Sequence, residues 1–173
     1  MASHETSQLR RVFNYVDRIV GYNAEEKLNC AENVFITVYD LVEPDFPRET
    51  VALTSGFGGG LSRYRSLCGA LSGAVAILGM FYGRRDPFKG TIEEREEYKR
   101  RTYEIIRRVP EEFKNRFGSL ICSELIGEFL VDNRFDDPKR EKMCRDFISF
   151  SSKSCLKILF EENKVCLSLL LWC

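Results

Sequence analysis

Histidine is almost missing from this chain: among 173 residues only His4 is one, and it stands in a terminus that reads as frayed. Without a second histidine, Ser-His-Asp and Cys-His catalysis lack their base, and histidine-ligated metal lacks its donors. An excess of either charge is lacking too. The 26 basic residues balance the 26 acidic ones, so no global field draws the chain to nucleic acid or to an anionic membrane surface. No apolar run of about 18 residues occurs, and "MASHETSQLRRVFNYVD" holds no stretch of signal-peptide length, which predicts a cytoplasmic protein without a membrane span. Neither C-x-x-C nor C-x-x-C-H is present. The thioredoxin motif, the zinc ribbon and covalent haem attachment therefore lack their pattern. Carboxylates come in runs such as "EEREE", the mark of solvated helix faces.

What the chain does have is helical periodicity. Its length predicts one domain, residues 1–173, with a core that needs no disulfide staples. Leu9, Val12, Phe13, Val16, Ile19 and Val20 recur at three- and four-residue steps, the stripe of an amphipathic helix. A second helix is predicted over about 25–41, ended by the two prolines of "VEPDFPRET". From about 61 to 82 the chain is apolar on nearly all sides, which predicts a central helix rich in glycine and alanine. Thr91 and Glu94 form a capping box at the head of a charged helix that Pro110 closes or kinks. "FGSLICSELIGEFL" reads as a further helix, and Asp137 with Pro138 opens a last one. The expected fold is an all-α single-domain bundle.

Eight of the twelve glycines fall between residues 56 and 83. Each one inside a helix costs roughly 1 kcal/mol relative to alanine, so something must offset it. Gly69 and Gly73, four apart with Ala70 and Ala74 alongside, make a small face suited to close helix packing. "GFGGGLSRYRS", with Arg63 and Arg65, superficially fits a phosphate loop, but it matches neither glycine-rich nucleotide signature and follows no buried strand.

Seven cysteines remain, at positions 30, 68, 122, 144, 155, 166 and 173. In a reducing compartment they read as ligands, redox groups or small core residues rather than bridges, and an odd number resists full pairing. Cys30, Cys68, Cys122 and Cys144 lie on four different predicted helices. Four thiolates converging in a bundle suit a tetrahedral zinc or an iron–sulfur cluster, whereas a lone helical cysteine is ordinarily a small buried hydrophobe.

The hexapeptide Cys68-Gly69-Ala70-Leu71-Ser72-Gly73 is CGAxxG, preceded by "NCAENVF" at Cys30 and "GFGGG", and followed by "GSLICSEL" at Cys122 and "KREKMCRDF" at Cys144. In this pattern, over about residues 8–160, the chain resembles the C-GCAxxG-C-C family of redox-active proteins. Related domains accompany the haems of split-Soret cytochromes with an iron–sulfur centre. The resemblance implies redox chemistry through Cys30, Cys68, Cys122 and Cys144, with an iron–sulfur cluster as cofactor. The expected function is electron transfer to a redox partner protein or oxidoreductase, as a carrier or subunit rather than a stand-alone enzyme. On that reading Gly58, Gly59, Gly60, Gly69, Ala70 and Gly73 bring backbone amides close to sulfur, where they shift its potential. Two alternatives stay open: the same thiols cycling as dithiol and disulfide in a redox protein or sensor, or a zinc-binding or purely structural bundle. A homodimer is compatible with each. Cys155, Cys166, Cys173 and the apolar tail 161–173 lie outside the pattern and carry no assigned role.

Overall fold

Asn29 and Glu32 decide where the second helix starts. The Asn29 side chain accepts from the amides of Ala31 and Glu32, and Glu32 returns a bond to the Asn29 amide, closing a capping box. In the computed structural model, which describes residues 2–131 and 134–165, α1 runs Ala2–Glu25 and α2 runs Cys30–Val42. The helix expected from residue 25 thus begins five residues later, with Cys30 as its first helical residue.

After α2 the chain turns at Pro44–Pro47 and enters a 3-10 helix, Arg48–Phe57, where the sequence predicts only a loop. Helix α3 spans Gly69–Tyr82, α4 spans Ile92–Phe117, the single turns α5 and α6 span Cys122–Leu125 and Gly127–Leu130, and α7 spans Pro138–Glu161. Among the described residues every regular element is helical, and the β-type pairing consists of one isolated antiparallel bridge, Leu67 with Ile121. The expected all-α architecture is what the chain adopts.

The core forms where α2, α3 and α7 meet, with α1 and α4 on the outside. Val12, Val16 and Val20 of α1, Val34, Phe35 and Val38 of α2, and Leu71, Ile77 and Leu78 of α3 are all buried. Burying each of these larger side chains contributes roughly 1.5–3 kcal/mol. Helices α2 and α3 approach closely because α3 has no side chain at Gly73: a Cβ there would lie 2.4 Å from the Ala31 carbonyl oxygen. A buried polar lattice fixes α1 against α2. Asn23 donates to Asn33 and Thr37, Thr37 donates to Asn33, and Asn33 donates to the Val20 carbonyl.

Two expectations about breaks need correction. Pro110 does not close α4, which continues through it to Phe117. Val109 and Phe113 on either side of it are fully buried, and Phe113 packs in a ring cluster with Phe117, Phe147 and Phe150, contacts that offset the lost amide donor. The stretch "FGSLICSELIGEFL" is not one helix. Gly118 at φ 85° caps α4, Ile121 is extended, and two separate turns follow.

Candidate functional site

The predicted helix over 61–82 begins only at Gly69, because the preceding residues turn left-handed. Gly59, Gly60, Leu61, Ser62 and Arg63 have φ between 49° and 73°, and Arg65 has φ 66°. A left-handed conformation costs an L-residue roughly 1–2 kcal/mol, and here four non-glycine residues adopt it. The turn is held by amides bonding back across it, Ser62 to the Gly56 carbonyl, Arg63 to Gly58 and Ser66 to Gly60. Only glycine fits at position 60, since a Cβ there would come 2.8 Å from the Cys122 Cβ and 2.9 Å from the Ser66 backbone. Strain of this kind persists where the surroundings over-determine it, and such places cluster at functional sites.

This turn sets two cysteines side by side. The Leu67–Ile121 bridge joins the residues just before Cys68 and Cys122, with the Cys68 amide bonded to the Leu120 carbonyl at 2.9 Å and the Cys122 amide to Ser66 at 2.7 Å. Cys68 then becomes the N-cap of α3, and Cys122 the first residue of α5. Cys30 arrives from the start of α2, and Cys144 from the second turn of α7.

All four line one cavity of about 20 Å³, together with Gly59, Gly69, Ala70 and the apolar side chains of Leu125, Ile126 and Phe147. Cys68 and Cys122 are buried, whereas Cys30 and Cys144 are partly exposed. None of the five cysteines described here is in a disulfide.

The four sulfurs are not equivalent. A hydrogen bond from the Cys144 thiol, with further help from the Gly59 amide, its own amide and Arg140, holds the Cys30 thiol down to about 6 despite burial. Cys144, as the donor to Cys30 and itself largely desolvated, is pushed far up. Burial, with the nearby Cys30, raises Cys68 to about 12, against which the Ala70 and Leu71 amides act. Burial also raises Cys122, opposed by a hydrogen bond from Arg65. Of the four, Cys30 alone is shifted down, and Cys68, Cys122 and Cys144 are shifted up.

The glycines expected to crowd the sulfurs divide. Gly59 and Ala70 turn amides toward Cys30 and Cys68, and Gly69 and Gly60 abut the Cβ atoms of Cys30 and Cys122. Gly58 instead makes room for Asn29, and Gly73 makes room for the α2 backbone.

Sequence reasoning missed three residues of this site. Asn29 was readable from N-x-x-E ahead of an apolar run. Arg140 stands one helical turn before Cys144 with its Nη1 3.9 Å from the sulfur, a spacing visible in "KREKMC". Arg65 reaches Cys122 and stacks on Phe135 with its guanidinium 5.1 Å from the ring centre. Nothing in the local sequence tells which side that arginine takes. Cys155 is buried on α7 against the Ala74 carbonyl, away from the other four, while Cys166 and Cys173 lie outside the described residues.

A metal or cluster needs several thiolates around one point. The donors are of the right kind, but the cavity has room for about one water. Among the described residues no group of three or more His, Cys, Asp or Glu side chains is disposed to hold a metal ion. As arranged, the space between the four sulfurs is too small for a cluster.

An all-helical chain that gathers four cysteines behind glycine-supported amides has the make-up of a redox-active protein. Residues 28–158 match the family described as "Putative redox-active protein (C_GCAxxG_C_C)", and the chain belongs to that family. No curated protein and no solved structure matches it. No helix among the described residues is long and apolar enough to cross a membrane.

Proposed function

We propose that this is a thiol–disulfide redox protein in which Cys30 and Cys144 are the exchanging pair. The observation that carries the reading is that Cys30 and Cys144, the partly exposed members of the four, line the same cavity, where Cys144 is the strongest influence on the Cys30 thiol. The thiolate is the attacking species in exchange. Cys30 attacks one sulfur of a partner disulfide, forming a mixed disulfide and releasing the other partner sulfur as a thiolate that takes up a proton. Cys144 then attacks the Cys30 sulfur, releasing the second partner thiol. Two electrons and two protons pass to the partner, and a Cys30–Cys144 disulfide remains. The reverse sequence oxidises a partner dithiol. The partner is a protein or small molecule carrying a disulfide or dithiol, and the reducing cytoplasm is the compartment in which the resting pair is the dithiol.

A second reading is an electron carrier with an iron–sulfur cluster on Cys30, Cys68, Cys122 and Cys144. The convergence of all four on one cavity favours it, and it requires the cavity to open. Anaerobic purification, with iron, acid-labile sulfide and zinc measured per chain, separates the two. The expected result is a colourless, metal-free protein that, on mild oxidation, loses two hydrogens by mass and yields a Cys30–Cys144 peptide link. Iron and sulfide retained by the wild type and lost from Cys68→Ser would overturn the thiol reading and establish the cluster. Zinc alone would overturn both in favour of a structural metal.

A further inference from the structure

A second concave site lies at the far end of α3 from Cys68, about 20 Å along the helix at 1.5 Å per residue. It is a cleft of about 720 Å³, within the range of small-molecule sites, formed by the turn after α2, the end of α3, the loop to α4, the first turns of α4 and Lys164. Its floor is apolar. Phe46 and Phe81 meet edge to face, with centroids 6.0 Å apart, and Met80 lies beside them. The Tyr39 hydroxyl donates to the Phe46 carbonyl and holds that ring's backbone in place.

The rim is cationic. Arg84, Arg85, Lys89, Arg95 and Lys164 line the cleft against three carboxylates, Asp45, Asp86 and Glu94. Two of the carboxylates are already engaged, Asp86 with the Phe88 amide and Glu94 with the Thr91 amide in its capping box. None of the five cations makes an ion pair among the described residues: Arg84 and Arg95 reach only backbone carbonyls, and Lys164 lies over the Tyr82 ring. The negative end of α3 accounts for Arg84 and Arg85. It does not account for Lys89, farther along the same loop, or for Arg95 on α4 and Lys164 after α7, which reach the same opening from other elements. Phe88, beside Lys89 on the same loop, leaves its ring 81% exposed.

We infer that this cleft binds a planar aromatic organic anion, its ring against Phe46 and Phe81 and its anionic group among Arg85, Lys89 and Lys164. Flat apolar area and unpaired cations together select that class. An uncharged ring leaves the rim unused, and a bare inorganic anion leaves the floor wet. The site is separate from the thiols and does not depend on the reading given to them.

The probe is anthraquinone-2-sulfonate, titrated calorimetrically into the full-length protein, with amide shifts of Gly83 and Gly90 followed by NMR. Saturable binding of one probe per chain is expected, weakening as salt rises. The double change Arg85→Gln with Lys89→Gln, both exposed and remote from the core, lowers affinity at least about ten-fold. Cys30→Ser binds the probe as the wild type does, so failure here and failure of the thiol reading are told apart. Absence of saturable binding, undiminished affinity in the double variant, shifts confined to other residues, or equal competition by inorganic sulfate alone would each overturn the proposal.

Discussion

Cys30 owes its character to neighbours from two other parts of the chain, α7 and the turn at Gly59. Cys144 donates to it first, and burial works against it. The Gly59 amide and Arg140 then add to the stabilisation of the negative sulfur. Cys68, buried at the start of α3, receives amides from Ala70 and Leu71, but desolvation outweighs them. Alkylation with iodoacetamide under reducing conditions should therefore pick out Cys30, with a half-maximal rate near pH 6, against about 8.5 for an ordinary thiol. Cys144→Ala removes the principal donor, and Arg140→Gln the nearby charge. Each should move the midpoint upward, the first by more. A midpoint unmoved by either change would mean that the thiolate is held by something else.

At the scale of elements, the turn from Gly59 to Arg65 is the unusual piece. A helix over these residues would satisfy their own amides, yet the left-handed path brings the Gly59 amide to Cys30 and leaves Ser66 to pair with Cys122. Leu61 takes part at φ 58° with its side chain 47% exposed, so its conformation costs energy that its packing does little to recover. Replacing Leu61 by glycine relieves that strain while adding freedom to the unfolded chain. The net effect expected in urea denaturation is unchanged stability or a gain of up to about 1 kcal/mol. Exposed non-glycine residues are ordinarily insensitive to this change or lose stability by it. A loss above about 1 kcal/mol would show that the Leu61 side chain holds the turn.

For the molecule as a whole, the thiols make stability depend on pH in two opposed ways. The folded-state pKa of Cys30 lies below its unfolded value, so between about pH 6 and 8.5 the unfolded chain binds more protons. Stability then rises with pH across that window, and the contribution of Cys30 is lost as pH falls through its folded value. Cys68 and the wholly buried Cys155 run the other way. Both are raised by burial, so their contribution is complete below the ordinary thiol value and is lost as pH climbs through their folded ones. Denaturation of the reduced protein should show greater stability at pH 8.5 than at pH 6 or pH 10.5. In Cys30→Ala the acid-side slope over pH 6–8.5 should flatten while the alkaline loss remains. Identical slopes in the two proteins would contradict the assignment.

Local chemistry carries the features that nearby residues decide. The valine stripe of α1, the capping box at Thr91 and the Asp137–Pro138 start of α7 are readable because periodicity and caps involve residues three or four apart. The four cysteines and their CGAxxG setting were legible on the same ground, as was the membership that residues 28–158 bear out. By itself, then, the sequence determined an all-α chain, the positions of most of its helices, and the four-cysteine pattern of the family. Only the tertiary structure decided that Cys30 opens its helix, that residues 59–65 turn left-handed, and that Arg65 and Arg140 come to the sulfurs. It alone decided that four cysteines meet in a space the size of a water molecule. The physical reason is that a turn running against local preference, and contacts between residues as far apart as 30 and 144, are favourable only once packing across α2, α3 and α7 offsets their cost.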